Sequence, residues 1–226
     1  MIKSVAEKIK SNTPVKLVFF GDSVTHGYFE SFEHMHGTTC YDSVYHNRLK
    51  KLLDKYFPEN QVTVVNSGVG GETSGMGLNR IDKDVLAYNP DLVVVCFGLN
   101  DIHHDLSEYL NSLTEIFSTL KSHNIPCIFM TPNMLNTAIT KPILRDIAKK
   151  TMEHQNSGRM DEFMSSAINL AEEMNVLVCD CYGVWKDLNT MGIDTNALLV
   201  NGINHPIREM HALFAHKLFE TIFKEK

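Results

Sequence analysis

Residues 19–27, FFGDSVTHG, end an apolar run with a serine that could act as a nucleophile. The glycine at 21 lets the chain leave a strand sharply, and Ser23 would then stand at the start of the next helix. A serine hydroxyl held there can attack an ester carbonyl. The competing interpretation is that Asp22 or Ser23 is only the N-cap of that helix, and the tripeptide alone favours this simpler role.

Two further turns could supply hydrogen-bond donors to the same reaction. Gly71 lies in the glycine-rich stretch NSGVGGETSG (66–75), and Asn100 lies in GLND (98–101). Together with the backbone N–H of Ser23, the Gly71 N–H and the Asn100 side-chain amide would form an oxyanion hole. Taken singly, Gly71 could be a plain turn residue, and Asn100 could belong to an Asx-turn or a helix cap.

A serine hydroxyl needs a general base, and His205 is the best placed of the eleven histidines. It lies in LLVNGINHP (198–206), directly before Pro206 and an amphipathic helix. That position predicts a rigid loop at a helix start, which suits a general base. A neutral histidine can take the serine proton and return it to the leaving group.

The other histidines show weaker patterns. His26 is close enough to Ser23 in sequence to line the same pocket. Two histidine pairs could suggest a metal, but adjacent histidines on a helix diverge and no third ligand stands at a familiar spacing. We therefore predict no metal site. The two pairs are His34 with His36 and His103 with His104.

Five apolar runs, rich in β-branched and aromatic residues, alternate with longer helix-like segments. Such runs are typical of strands buried on both faces of a parallel sheet. The alternation predicts an α/β fold, a three-layer α/β/α sandwich with a five-stranded parallel sheet. In such sheets ligands bind beyond the carboxyl ends of the strands, so the turns described above would meet at one edge. The runs are 15–20, 62–66, 91–98, 125–131 and 175–180, and the helical segments are 40–57, 77–88, 105–123, 159–174 and 205–224.

Composition limits the classes of protein that fit. With 226 residues, 43% of them hydrophobic, the chain is long enough for a sizeable core, and we predict one domain over residues 1–226. A net charge of −6 gives no reason to expect nucleic acid or an anionic membrane as partner. Five cysteines without a Cys-x-x-Cys pair indicate neither a zinc knuckle nor a disulfide framework. No apolar run resembles a signal peptide or a membrane span, so we predict a cytoplasmic protein.

The four stretches that contain these candidate residues resemble the four sequence blocks of the SGNH hydrolases. This branch of the GDSL-type esterases is named for the Ser, Gly, Asn and His of those blocks. In this sequence they give Ser23, Gly71, Asn100 and His205, in the family's order. The resemblance implies a flavodoxin-like sandwich and hydrolysis of a small acyl ester through an acyl-serine, with neither a metal nor an organic cofactor. Short acyl groups, acetyl first among them, are favoured because no long apolar stretch suggests a deep lipid tunnel. A lysophospholipase or thioesterase of the same family is the alternative.

The last block departs from the family pattern. Where the family usually has an aspartate shortly before the histidine, this sequence has Asn201. An asparagine can orient the imidazole through its carbonyl oxygen, but it cannot supply negative charge. Three interpretations stay open: a Ser23–His205 dyad oriented by Asn201 or a backbone carbonyl, a carboxylate such as Asp180 or Asp194 reaching the site, or weakened chemistry. The last includes a protein that only binds an acylated sugar or lipid. A flavodoxin-like nucleotide binder is a further hypothesis.

Overall fold

The computed structural model describes residues 2–30, 37–141 and 144–224. Its strands are β1 (Val15–Gly21), β2 (Tyr28–Glu30), β3 (Gly37–Thr39), β4 (Val62–Gly68), β5 (Leu92–Cys96), β6 (Cys127–Met130) and β7 (Leu177–Cys179). Its helices are α1 (Ile2–Lys10), α2 (Ser23–His26), α3 (Tyr45–Tyr56), α4 (Ser74–Leu78), α5 (Ile81–Asp84), α6 (Leu106–Ser122), α7 (Arg145–Asn156), α8 (Arg159–Glu173), α9 (Cys181–Thr190) and α10 (Arg208–Phe223).

Five of the strands form one parallel sheet in the order β4-β1-β5-β6-β7. Counted along the chain, this is the 2-1-3-4-5 order of flavodoxin-like folds. All five predicted apolar runs are strands of this sheet, which confirms the predicted α/β sandwich. β1 lies between β4 and β5, with Phe19 in register with Asn66 on one side and Val94 on the other. The carboxyl ends of β1, β4 and β5 therefore lie side by side at one edge of the sheet.

Helices cover both faces of the sheet because the central strands are apolar on both sides. On one face α10 packs against α1 and α3, and on the other α6 packs against α4 and α8. Phe19, Val94 and Ile128 have no exposed surface. Full burial of a side chain of this kind contributes about 1.5–3 kcal/mol, and the same burial fixes the strand ends that carry the polar turns.

The predicted helix over 77–88 is not continuous. The chain forms α4, then α5, then a short 3-10 turn at 86–88. Two tertiary contacts explain the breaks: Gly77 lies against the rings of Phe20 and Phe97, and the Ser67 hydroxyl donates to the Asp84 carbonyl at 2.6 Å. A continuous helix would use that carbonyl itself.

Several elements were not predicted at all. The antiparallel hairpin β2–β3 and the helix α9 fall in stretches that the periodicity did not resolve. The helix expected to start at Ser23 is present as the four-residue α2. α7 lies between the predicted strand that ends at residue 131 and the predicted helix that begins at 159, where no element was assigned from the sequence. Within the described ranges no helix is long and apolar enough to span a bilayer. All five cysteines are free thiols.

Candidate functional site

Ser23 is the first residue of α2, at the carboxyl end of β1. Asp22 caps the helix, since its carboxylate Oδ1 accepts the Val24 N–H at 2.9 Å. Gly21 permits the sharp exit from β1, because a methyl group there would collide with the Cys96 carbonyl and the Thr25 side chain. Asp22 is therefore the helix cap, and the Ser23 hydroxyl is available to another partner.

That partner is His205. The Ser23 Oγ and the His205 Nε2 are 2.9 Å apart, and both residues are buried. The Ser23 hydroxyl donates to this nitrogen in the neutral tautomer of His205 that has its proton on Nδ1. The contact joins residues 182 positions apart in the chain. Edge-on packing of the His205 and Tyr28 rings, with centroids 5.9 Å apart, limits the rotation of the imidazole.

Asn201 braces the loop that carries His205. Its side-chain oxygen accepts the backbone N–H groups of Ile203, Asn204 and His205, each at 2.9 Å. Its amide nitrogen donates to the Asn204 side-chain oxygen at 2.8 Å. One buried side chain therefore satisfies three backbone donors of this loop, which fixes the position of the His205 backbone.

The turns after β4 and β5 bring Gly71 and Asn100 to the same cavity as Ser23 and His205. Gly71 has a φ of +78°, a conformation that side chains rarely adopt. The Asn100 side-chain amide donates to the Glu72 carbonyl at 2.8 Å, which ties the two turns together. An amide nitrogen has two hydrogens, so one remains for a ligand.

The cavity has a volume of about 540 Å³ and is open to solvent on one side. The five predicted site residues all line it, so the structure brings together positions from four separate parts of the chain. Its apolar lining comes from the N-cap and first turn of α7 and from the His205 loop. The five are Ser23, Gly71, Asn100, Asn201 and His205, and the apolar wall is formed by Leu144, Ile147 and Ile203.

Sequence reasoning missed Arg80, a largely buried arginine that holds the turns in place. Its guanidinium pairs with the Glu72 carboxylate at 2.6 Å and donates to the carbonyls of Ser67 at 2.9 Å and Gly21 at 3.2 Å. It also lies over the Phe20 ring, 4.8 Å from the centroid. These contacts link the ends of β1 and β4 to the glycine-rich turn. In the sequence, Arg80 follows the glycine-rich stretch 66–75 by five residues, and no motif marks it as part of the site.

Asp101 was also missed, although it follows Asn100 directly. One carboxylate oxygen, Oδ1, accepts from the Ser74 N–H at 2.9 Å and from the Ser74 hydroxyl. It therefore holds the start of α4 against the turn after β5. Burial raises the pKa of the Asp101 carboxyl above its usual 3.8, and its hydrogen bonds to Ser74 oppose that shift.

Burial sets the protonation of the two groups beside the serine hydroxyl. It lowers the pKa of His205 from 6.5 to about 4, so the imidazole is neutral at pH 7. Burial also raises the pKa of Asp22 from 3.8 to about 7, with a smaller contribution from the nearby Asp101 charge. Asp22 is 1% exposed, and its second oxygen has no hydrogen-bond partner among the described residues.

The other sequence candidates have different positions. Asp180 caps α9 by accepting the Gly183 N–H at 2.9 Å, and Asp194 accepts the Asn196 N–H at 3.0 Å, so both serve turns of their own. His26 lines a separate cavity, not that of Ser23. His34 and His36 lie outside the described residues. Among the residues that the structure describes, no group of three His, Cys, Asp or Glu side chains could hold a metal ion.

Known proteins share this architecture. Residues 19–213 match the model of the GDSL-like lipase/acylhydrolase family. An acetylxylan esterase of Geobacillus stearothermophilus is 26% identical over 192 residues, 80% of this chain and 82% of that protein. An arylesterase of Vibrio mimicus is 27% identical over 170 residues, 73% of this chain and 78% of that protein.

The crystal structure of Axe2, an acetylxylan esterase from Geobacillus stearothermophilus, is similar with a TM-score of 0.72. The sequence identity is 25%, and the match covers 96% of this chain and 97% of that one. A serine-to-alanine variant and an aspartate-to-alanine variant of Axe2 are each described as a catalytic mutant.

Proposed function

The chain belongs to the GDSL-like lipase/acylhydrolase family and is a carboxylic ester hydrolase; from this premise we propose that it cleaves short acyl esters, acetyl esters in particular, through an acyl-serine on Ser23. The observation that carries the proposal is the 2.9 Å hydrogen bond between the Ser23 hydroxyl and the His205 Nε2 inside a cavity. It supports the proposal because serine hydrolysis needs a hydroxyl in contact with a group that can accept its proton.

Acylation begins when the Ser23 oxygen attacks the ester carbonyl. The His205 Nε2 takes the hydroxyl proton and becomes imidazolium as the tetrahedral intermediate forms. The low pKa of His205, about 4, keeps the imidazole free to accept that proton over most of the pH range. When the ester bond breaks, the imidazolium returns the proton to the leaving alkoxide, which departs as the alcohol.

The intermediate carries a negative oxygen, and three donors are proposed to hold it. They are the backbone N–H groups of Ser23 and Gly71 and the second hydrogen of the Asn100 amide. Loss of one such donor typically costs about 3 kcal/mol of transition-state stabilisation. The bond from Asn100 to the Glu72 carbonyl supports this role because it fixes the amide plane before substrate arrives.

Water completes the cycle by the same route in reverse. His205 removes a proton from the attacking water, the water oxygen bonds to the acyl carbon, and the imidazolium then protonates Ser23 as the serine–acyl bond breaks. The products are the carboxylic acid and free enzyme.

Asn201 is proposed as a positioning residue, not as an acidic third member of a triad. Its oxygen already accepts three backbone N–H groups of the loop that carries His205. An amide gives the imidazolium no negative charge, so we expect slower turnover than in a relative that uses an aspartate. A rigid loop offsets part of that loss by holding the base at bonding distance from Ser23.

The cavity walls support a short acyl group. The apolar lining from Leu144, Ile147 and Ile203 lies in a cavity that is open to solvent, so it forms no enclosed tunnel for a long acyl chain. We therefore expect kcat/KM to fall along the series p-nitrophenyl acetate, butyrate and octanoate. A maximum at octanoate would instead support the lysophospholipase or thioesterase alternative.

Replacement of Ser23 by alanine tests the mechanism. We expect the S23A variant to lose more than 99% of p-nitrophenyl acetate turnover, in line with removal of a catalytic nucleophile, and to lose labelling by a fluorophosphonate. The S165A variant, altered at an exposed serine of α8, is the matched control and keeps both. Turnover that survives in S23A removes Ser23 from the mechanism. A wild type that binds an acylated sugar without hydrolysis or labelling would indicate a binding protein.

A further inference from the structure

A second cavity lies at the carboxyl end of α2, with a volume of about 430 Å³. Its lining includes His26, Tyr41, Asn47 and Asn66, and it shares no lining residue with the cavity of Ser23. His26 is only three positions after Ser23 in α2, so the two cavities are neighbours. The proposed chemistry uses none of the residues that line this second cavity.

A line of aromatic rings connects the two cavities. The His205 and Tyr28 ring centroids are 5.9 Å apart, those of Tyr28 and His26 are 6.4 Å apart, and those of His26 and Tyr41 are 6.1 Å apart. The line therefore runs from the proposed catalytic base to a tyrosine at the outer end. A substrate that continues beyond the acylated group along Tyr28 would meet the His26 and Tyr41 rings next.

The second cavity is polar and has no permanently charged side chain among its described lining residues. Among the described residues that line it there is no Lys, Arg, Asp or Glu, and Val64 is the sole aliphatic side chain. This lining does not match a phosphate or carboxylate, which would need a cation, or an acyl chain, which would need a larger apolar surface. It matches a neutral ligand with many hydroxyl groups.

The free hydrogen-bonding groups of the cavity also suit hydroxyl groups. The His26 Nδ1 donates to the Gly68 carbonyl at 3.0 Å, which leaves its Nε2 for a ligand. The amides of Asn47 and Asn66 are held by the Tyr41 carbonyl and the His26 carbonyl, and each keeps a further hydrogen. Tyr41 is 52% exposed, so its ring face is accessible to a ligand.

We propose that this second cavity is a subsite for the alcohol side of the substrate and binds a neutral sugar ring joined to the acylated one. The Tyr41 and His26 rings contact the apolar face of the sugar, and the surrounding amides and the His26 Nε2 bond its hydroxyl groups. The inference rests on the proposed esterase function and specifies its leaving group, an oligosaccharide in place of a simple alcohol.

The test compares two acetyl esters that differ only in the leaving group, p-nitrophenyl acetate and acetylated xylotetraose. For the Y41A variant we expect the ratio of kcat/KM on xylotetraose to that on p-nitrophenyl acetate to fall about tenfold, equivalent to about 1.4 kcal/mol. Most of the fall should come from a higher KM for the oligosaccharide. The Y41F variant keeps the ring, and its ratio should stay within about threefold of wild type, less than half of that energy.

The Y56A variant is the matched control. Tyr56 is 55% exposed, close to the value for Tyr41, and lies on α3 beside Phe219, away from both cavities. We expect it to leave the ratio unchanged. An unchanged ratio in Y41A, an equal fall in Y56A, or a wild type that cleaves p-nitrophenyl acetate but not acetylated xylotetraose would each overturn the subsite. A wild type that cleaves neither ester fails the esterase proposal itself.

Discussion

Asp22, the buried carboxyl next to the proposed nucleophile, makes stability depend on pH in a direction that can be worked out. Burial raises its pKa from 3.8 to about 7. A carboxyl whose pKa is raised on folding binds its proton more tightly in the folded state, so the free energy of unfolding falls as pH rises between those two values. At about 1.36 kcal/mol per pKa unit, a shift of roughly three units lowers the free energy of unfolding by about 4 kcal/mol at pH 8.

The D22N variant removes this titration and keeps an oxygen that can accept the Val24 N–H. Between pH 5.5 and pH 8 we expect the variant to gain about 2 kcal/mol of unfolding free energy relative to wild type, because only the upper half of the window is sampled. The difference should stop growing above pH 7. Any constant cost of the new amide hydrogens cancels, since it is the same at every pH.

Urea unfolding of both proteins at half-unit pH steps measures this difference. The buried histidines, whose pKa values are lowered, destabilise the fold below pH 6.5 in both proteins and cancel in the comparison. D42N is the control, because the Asp42 side chain is 90% exposed, and its effect should stay within about 0.5 kcal/mol at every pH. A D22N difference that does not change with pH would refute the reasoning and show that Asp22 ionises at an ordinary pKa.

Three further outcomes follow from the site. N100A should lower kcat by about 100-fold or more with little change in KM, since an oxyanion donor acts on the transition state; a higher KM at unchanged kcat would contradict that role. The acid limb of kcat/KM should fall near pH 4, because burial lowers the pKa of His205 to about 4; a limb near pH 6.5 in protein shown to be folded by circular dichroism would indicate an ordinary imidazole. G68A should lose about 2 kcal/mol of stability or more, because the methyl group would overlap the backbone of His26; an unchanged urea midpoint would contradict the close approach.

The sequence determined the sheet and the order of the site residues. The run LVVVCF (92–97) is apolar at every position, which is typical of a strand buried on both faces, so local composition predicted the parallel sheet. Because parallel strands end at one edge, the polar turns at Ser23, Gly71 and Asn100 were expected to converge. His205 could be singled out because Pro206 and the following helix predict a rigid loop.

Only the tertiary structure decided what the polar side chains contact. Asn201 occupies the position expected for an acidic orienter, yet its oxygen bonds three backbone N–H groups, a loop conformation that local sequence does not reveal. Arg80 binds carbonyls at 21 and 67, and Asp22 acquires its raised pKa from burial by residues distant in the chain. Local composition fixes strands and turns because those depend on neighbours in sequence. The partners of a charged group and the loss of its solvation depend on neighbours in space. So does the row of aromatic rings that ends at Tyr41. Such neighbours come together only when the helices pack on the sheet.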